Sequence, residues 1–188
     1  IPAAGQAIPD GSGGVIIAYT DDDMNMSALK IDSEGNLPWG ADGVSLNMGD
    51  SYLSDIASDN SGGVIVVRYG AGNIAAQRLD SRGNVLWQMG GVEVYGGPAG
   101  EDRLVSDGSG GAIIAFERDI PNADGIGYSD SDIYAQRIDA EGSVLWGLDG
   151  VAVRIKPSLP TSPSIVSDGT GGAIIFLGHE ASIYAQRI

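Results

Sequence analysis

The segment ERDIPNADGIGYSDSDIY, Glu117 to Tyr134, gathers Asp119, Asn122, Asp124, Asp130 and Asp132 within fourteen residues, with Gly125 and Gly127 free to turn tightly. Carboxylates, a side-chain amide and loop carbonyls are the hard oxygen donors that calcium takes in sets of about six to eight. The spacing D-x-x-N-x-D-G is not the D-x-D-x-D-G of an EF-hand loop, so a calcium site and an ordinary solvated loop both fit these residues. A second acidic run, TDDDMNMS, sets Asp21, Asp22 and Asp23 side by side. In an extended chain such neighbours point to alternating sides and converge poorly on one ion.

No other constellation assembles a catalyst. His179, beside Glu180, is the only histidine, and the chain has no cysteine. It therefore lacks the second imidazole or thiolate that a metal centre of that kind needs. No serine stands in a G-x-S-x-G elbow. The GSGG turns are followed by β-branched runs without a lysine, which is not a phosphate loop. Carboxylates are too numerous for any one pair to stand out as a glycosidase acid and base, and D-x-x-G is not the spacing of a sialidase Asp-box. The expectation is a non-enzymatic protein without a resident cofactor, calcium being the one candidate ion.

Charge narrows the partners. Against 25 acidic side chains there are 10 basic ones, for a net charge of −15. Phosphate backbones and anionic lipid surfaces are read by clustered Lys and Arg, so nucleic acid and membrane are excluded as partners. Nineteen of the acids are Asp, the residue of turns and of calcium ligation. No apolar run approaches the roughly 18 residues of a membrane-spanning helix. The start, IPAAGQAIPDG, has neither a Met nor a charged leader region and reads as a mature or excised terminus.

The elements that position these residues repeat. PDGSGG, SDNSGG, SDGSGG and SDGTGG place an Asp at Asp10, Asp59, Asp107 and Asp168, spaced 49, 48 and 61 residues apart. After each comes an apolar run (VIIAY, VIVVRY, AIIAF, AIIF), then ALKI or AQR followed by Leu or Ile. The fourth mark is D-x-x-G-x-x-x-W, ending at Trp39, Trp87 and Trp146, followed by G-V-x-[VL]. Asp-Gly-Ser-Gly-Gly supplies the positive-φ positions of a tight reversal. The β-branched run after it reads as a strand buried on both faces. Each unit thus predicts four short strands, the last formed by the SVLW…GVAV stretch, and almost no helix.

A four-stranded unit of 40 to 50 residues in tandem is the mark of a β-propeller blade, whose twisted sheets bury both faces only by stacking radially. The fold class expected is all-β, a propeller of antiparallel blades over 1–49, 50–97, 98–156 and 157–188, the last without its fourth strand. From this we expect the 188 residues to be part of a longer ring, or two copies to complete one. Trp39, Trp87 and Trp146 recur at one station and are expected to dock blade on blade, each hiding roughly 150–250 Å². Arg78, Arg137 and Arg187, with Lys30 in the first copy, are expected to be structural too. Arg78 shares a strand face with Asp80 and Arg137 with Asp139, so the set is expected to hold those carboxylates or reach a neighbouring blade's turn, while Gln77, Gln136 and Gln186 point the other way toward backbone.

The D-x-x-G-x-x-x-W phrase resembles the tryptophan-docking motif of PQQ-type bacterial propellers, with one residue fewer between Asp and Gly. The whole unit, DGSGGAIIAF…DIYAQRIDAEGSVLWGLDGVAV, resembles tandem repeats of large secreted bacterial surface proteins and the bacterial delta-60 repeat. This resemblance covers nearly the whole chain and implies an exported propeller, extracellular or at the cell surface, with no single shared activity. It does not imply bound PQQ, because the motif is a scaffold mark. Two functions are then open: a scaffold, adhesion or assembly module with protein partners, or a lectin-like propeller that binds glycans. Repeated Trp and Arg exposed on the surface would favour the lectin, and buried ones the scaffold.

Overall fold

The structure, a computed structural model, describes residues 4–49, 51–70, 72–122, 124, 126–155, 162–179 and 182–188, without the side chains of Ala4, Ser129 and His179. Four antiparallel sheets follow one another along the chain. The first holds β1 (Ala4–Pro9), β2 (Val15–Thr20), β3 (Met26–Ile31) and β4 (Val44–Ser45). The second holds β5 (Tyr52–Ser58), β6 (Val64–Gly70), β7 (Asn73–Leu79) and β8 (Val92–Tyr95). The third holds β9 (Ala99–Ser106), β10 (Ala112–Pro121), β11 (Tyr128–Ile138) and β12 (Val151–Arg154). β13 (Ser164–Ser167), β14 (Ala173–His179) and β15 (Ser182–Arg187) form a three-stranded fourth. Every sheet is a meander of sequential neighbours, and the first strands β1, β5, β9 and β13 lie side by side.

The turn chemistry explains the β1–β2 type of hairpin. Asp10 accepts the amides of Ser12 and Gly14 at 2.8 Å each, and Gly11 and Gly13 sit at φ 81° and 92°. Its counterparts Asp59, Asp107 and Asp168 accept the equivalent amides. The β-branched run then enters a strand buried on both faces where two sheets flank it: all of Val64–Val67 and Ile113–Phe116 are fully buried. β2, with one flanking sheet, alternates buried and half-buried residues.

Burial runs between successive sheets. Ile16, Ala18, Met26, Ala28, Trp39 and Leu46 of the first pack on Val64, Val66, Ala75 and Leu79 of the second. Ile65, Val67, Ile74 and Trp87 of the second pack on Leu104, Ala112, Ile114 and Ile138 of the third. Ala115 and Ala135 of the third meet Ile175 of the fourth. One expectation needs correcting. The SVLW stretch is not strand: it makes a single bridge, Ile138 to Val144, as Leu79 does to Val85, and extended pairing starts only at the G-V step. The backbone turns away because the amides of Trp87 and Trp146 are taken by the side-chain oxygens of Gln77 and Gln136 rather than by a ladder.

Candidate functional site

The repeated residues are structural latches. Trp39 and Trp87 are 7% and 5% exposed, and each donates its indole N–H to a turn carbonyl of the following blade, Ser81 and Ala140, at 3.1 Å. The glycine of that turn leaves the space: a Cβ on Gly142 would stand 2.9 Å from Trp87 Cδ1, and one on Gly83 3.0 Å from Trp39. Trp146 is half-buried, beside Val153, Ile165 and Ile188.

The arginines meet the sequence expectation in part. Arg78 and Arg137 do not hold Asp80 and Asp139, the Asp two residues on. Arg78, Arg137 and Arg187 reach back to the turn aspartates of their own blades, Asp59, Asp107 and Asp168, at 2.9, 2.9 and 2.6 Å, as Lys30 reaches Asp10 at 3.2 Å. The reason is register: Ile65 lies opposite Arg78, so the guanidinium lies over the hairpin that begins the same strand. Arg78 also donates to the Ala140 carbonyl and Lys30 to the Gly62 carbonyl, each in the next blade. Burial alone would raise Asp107, but the amides of Ser109 and Gly111 and the Arg137 guanidinium outweigh it and hold the carboxyl below its ordinary range. Gln77 and Gln136 bond backbone as expected, at the Gln88 and Gly147 carbonyls.

The acidic segment 119–132 is mostly strand. β10 and β11 extend into a long hairpin, with only its tip outside them. Arg118 lies opposite Asp132, Asp119 opposite Ser131 and Ile120 opposite Asp130. Side chains alternate, so Asp130 and Asp132 share one face and Asp119 lies on the other. Asn122 donates to the Ile126 carbonyl, and Asp124 accepts the Ile126 amide. Among the described residues no three His, Cys, Asp or Glu side chains come together as a metal cage. Asp21 closes its own turn, accepting from the amides of Asp23 and Asn25. Glu180 and the His179 side chain lie outside the described residues.

A site the sequence reading missed lies between the second and third blades. Tyr52, Leu53 and Ser54 of β5, Tyr69 of β6, Ala99 to Arg103 of β9 and Glu117 of β10 line a cleft of about 520 Å³, within the range of small-ligand sites. Two β-bulges shape it. Pairing of β5 with β6 slips between Leu53 and Asp55, leaving Ser54 out of register, and pairing of β9 with β10 slips between Phe116 and Arg118, at Glu117. The same hairpin in the first and fourth blades is regular. Bulges re-aim side chains and concentrate beside functional sites.

The cleft is acidic, and one acid in it has no partner. Asp102 is 1% exposed, and neither carboxylate oxygen has a hydrogen-bond partner. Burial pushes its pKa up to about 7; the Ser54 hydroxyl eases this without reaching hydrogen-bond geometry, while the Asp55 charge adds to it. Glu117, 6% exposed, is raised by burial and then by Asp119 and Glu101. Asp55 is raised by burial although it accepts the amides of Leu104 and Ile56. The only cation lining the cleft, Arg103, is held by Glu101 at 3.1 Å and by the Asp102 carbonyl at 2.6 Å. An unpaired buried carboxylate costs stability, and this one lies in the lining of a cleft.

The signal was there in the repeats. Gly5, Ser54, Asp102 and Pro163 hold one station relative to the turn aspartates, and Thr20, Tyr69, Glu117 and Gly178 hold another. Only the third blade puts carboxylates at both.

No family model matches the chain, and no curated protein does. Solved structures do. A fungal lectin described as a six-bladed β-propeller with a novel fucose recognition mode, from Aleuria aurantia, is 12% identical, with a TM-score of 0.53 over 93% of this chain and 59% of that one. A mercury-derivative form of the fucose-specific Aleuria aurantia lectin is 10% identical, with a TM-score of 0.54 over 97% and 61%. The chain thus spans about three fifths of the lectins it matches. At such identity the likeness is one of fold alone, and with the four stacked meanders it shows that this chain folds as a β-propeller.

Proposed function

We propose that this protein is a carbohydrate-binding propeller, and that the sugar occupies the cleft between the second and third blades. The observation that carries this is Asp102, buried, unpartnered and lining a cleft of ligand size beside Ser54, Glu117, Tyr52 and Tyr69. A sugar offers hydroxyl donors for carboxylate oxygens and C–H faces for aromatic rings. The likeness to two lectin propellers supports the class. The burial of Trp39 and Trp87 favours the scaffold over a lectin with one site per blade, so the carbohydrate reading is one asymmetric site and rests on the cleft. Binding without turnover is proposed, outside the cell or at its surface; no helix among the described residues is long and apolar enough to cross a membrane. A glycan array probed with the wild-type chain and with Glu117→Gln tests it. Glycan signal lost in the variant supports the site, and an array without binding sinks the reading.

A second reading, an assembly module, rests on the fourth sheet. Its face turned from the third blade presents Val166, Phe176 and Ile183 at 47%, 38% and 78% exposure. That face corresponds to the one by which each earlier blade packs on its successor, so a second copy offering the free face of its first blade, with Val15 and Ile17, fits it. Light scattering should then give twice the 19.2 kDa mass, and Phe176→Asp should return it to one copy. A wild-type mass of one copy would end this reading.

A further inference from the structure

We infer that the group recognised in the cleft is a protonated primary amine, so that the sugar is an amino sugar with a free, unacetylated ammonium. This rests on the carbohydrate reading above and specifies its ligand. Asp102 brings two buried acceptor oxygens, neither engaged, to the lining of the cleft. Glu101 and Glu117 line the same cleft, and Asp55 is close enough for its charge to act on Asp102. The positive charge of Arg103 is already matched by Glu101. A uronate or sulfated sugar would add a charge of the same sign to this group and is excluded. A neutral hydroxyl can fill one acceptor but leaves the excess negative charge in place.

An ammonium supplies three donors and the opposite charge at once, and charge-assisted bonds are the stronger kind. Tyr52 and Tyr69 line the other side. Ring faces attract a cation as well as the C–H surface of a pyranose. An N-acetyl group abolishes the charge, puts a methyl in its place and adds a carbonyl acceptor facing acceptors. Discrimination between the free and acetylated amine is therefore the expected signature of this cleft.

Calorimetry at neutral pH tests the inference with four probes: a glucosamine tetramer, its fully N-acetylated counterpart, a tetramer of a hexuronate, and butylamine. The glucosamine tetramer should bind at least tenfold more tightly than the acetylated one, and the uronate should not bind. Asp102→Asn, which keeps the shape and removes the charge, should erase that preference, while Glu141→Gln on the far D-x-x-G turn should keep it. Melting curves of both variants confirm folding. Equal binding of the free and acetylated tetramers overturns the ammonium inference and leaves the carbohydrate reading standing. Binding of butylamine that depends on Asp102, with no oligosaccharide bound, supports the ammonium site and overturns the carbohydrate reading. A preference for the free amine that survives Asp102→Asn overturns the assignment to this cleft.

Discussion

Docking of Trp87 into the turn at Gly142 makes a prediction in which two substitutions must interact. Trp87→Ala empties a side chain 5% exposed and removes the bond from its indole to the Ala140 carbonyl. Large-to-small changes at such positions cost about 3–5 kcal/mol. For a chain of this size about 2–4 °C is lost per kcal/mol, so the melting temperature should fall by roughly 6–20 °C. Gly142→Ala strikes the same contact from the other side. Its residue sits at φ 87°, and the new Cβ would stand 2.9 Å from Trp87 Cδ1, so strain and crowding together cost about 1–3 kcal/mol. In the double variant the strained φ remains while the crowding disappears, so the combined loss should fall short of the sum by about 1 kcal/mol, a coupling typical of residues in contact. Trp146→Ala, at a half-buried ring, should cost about half as much as Trp87→Ala. Urea denaturation of the five proteins, compared by midpoint at constant m, reads all of this. Additive losses, or a Trp146→Ala as costly as Trp87→Ala, would refute the docking argument.

The latches should weaken along the chain in step with exposure: Arg78→Ala strands Asp59, whose side chain is 0% exposed, and should cost about 3–5 kcal/mol. Arg187→Ala, at a side chain 65% exposed, should cost less than about 1 kcal/mol by the same denaturation assay. Asp102 holds its proton more tightly folded than unfolded, so its contribution is complete below about pH 4 and is lost as pH rises through about 7. Asp102→Asn should therefore be near neutral at pH 4 and stabilise the protein at pH 8, with a ceiling of about 4 kcal/mol at 1.36 per pKa unit; a variant less stable than wild type at pH 8 would contradict the burial argument. Calcium at the β10–β11 hairpin would have to be held by Asp130 and Asp132 with tip carbonyls, so calorimetry should give at most millimolar binding, sensitive to Asp132→Ala and indifferent to Asp119→Ala. Micromolar binding that needs Asp119 would show that the strand register does not separate these acids.

The architecture was legible because it is written several times. Asp-Gly-Ser-Gly-Gly, the β-branched run and the tryptophan recur together, and tandem repetition averages out the ambiguity of any one short strand. The same averaging hid the cleft. Asp102 and Glu117 stand at stations where the other copies carry Gly5, Ser54 and Pro163, or Thr20, Tyr69 and Gly178, and a motif drawn from agreement passes over disagreement. Acid is dense at 119–132, although density does not specify direction. One residue of register puts Asp119 on the opposite face from Asp130 and Asp132. Partnership was misread for a related reason: Arg78 and Asp80 are neighbours in sequence on one strand face, yet the guanidinium is long enough to reach across the sheet to Asp59, where two backbone amides have already fixed the carboxylate. The bulges at Ser54 and Glu117 were the least legible, since each is a slip of one residue that no composition announces. They are also what separates this blade junction from its neighbours. A repeat fold with one asymmetric ligand site must break its symmetry somewhere, and at this junction two bulges flank one unsatisfied carboxylate. The scaffold reading has no use for that carboxylate, whose burial it must carry as a cost; the binding reading makes it the reason the cleft exists.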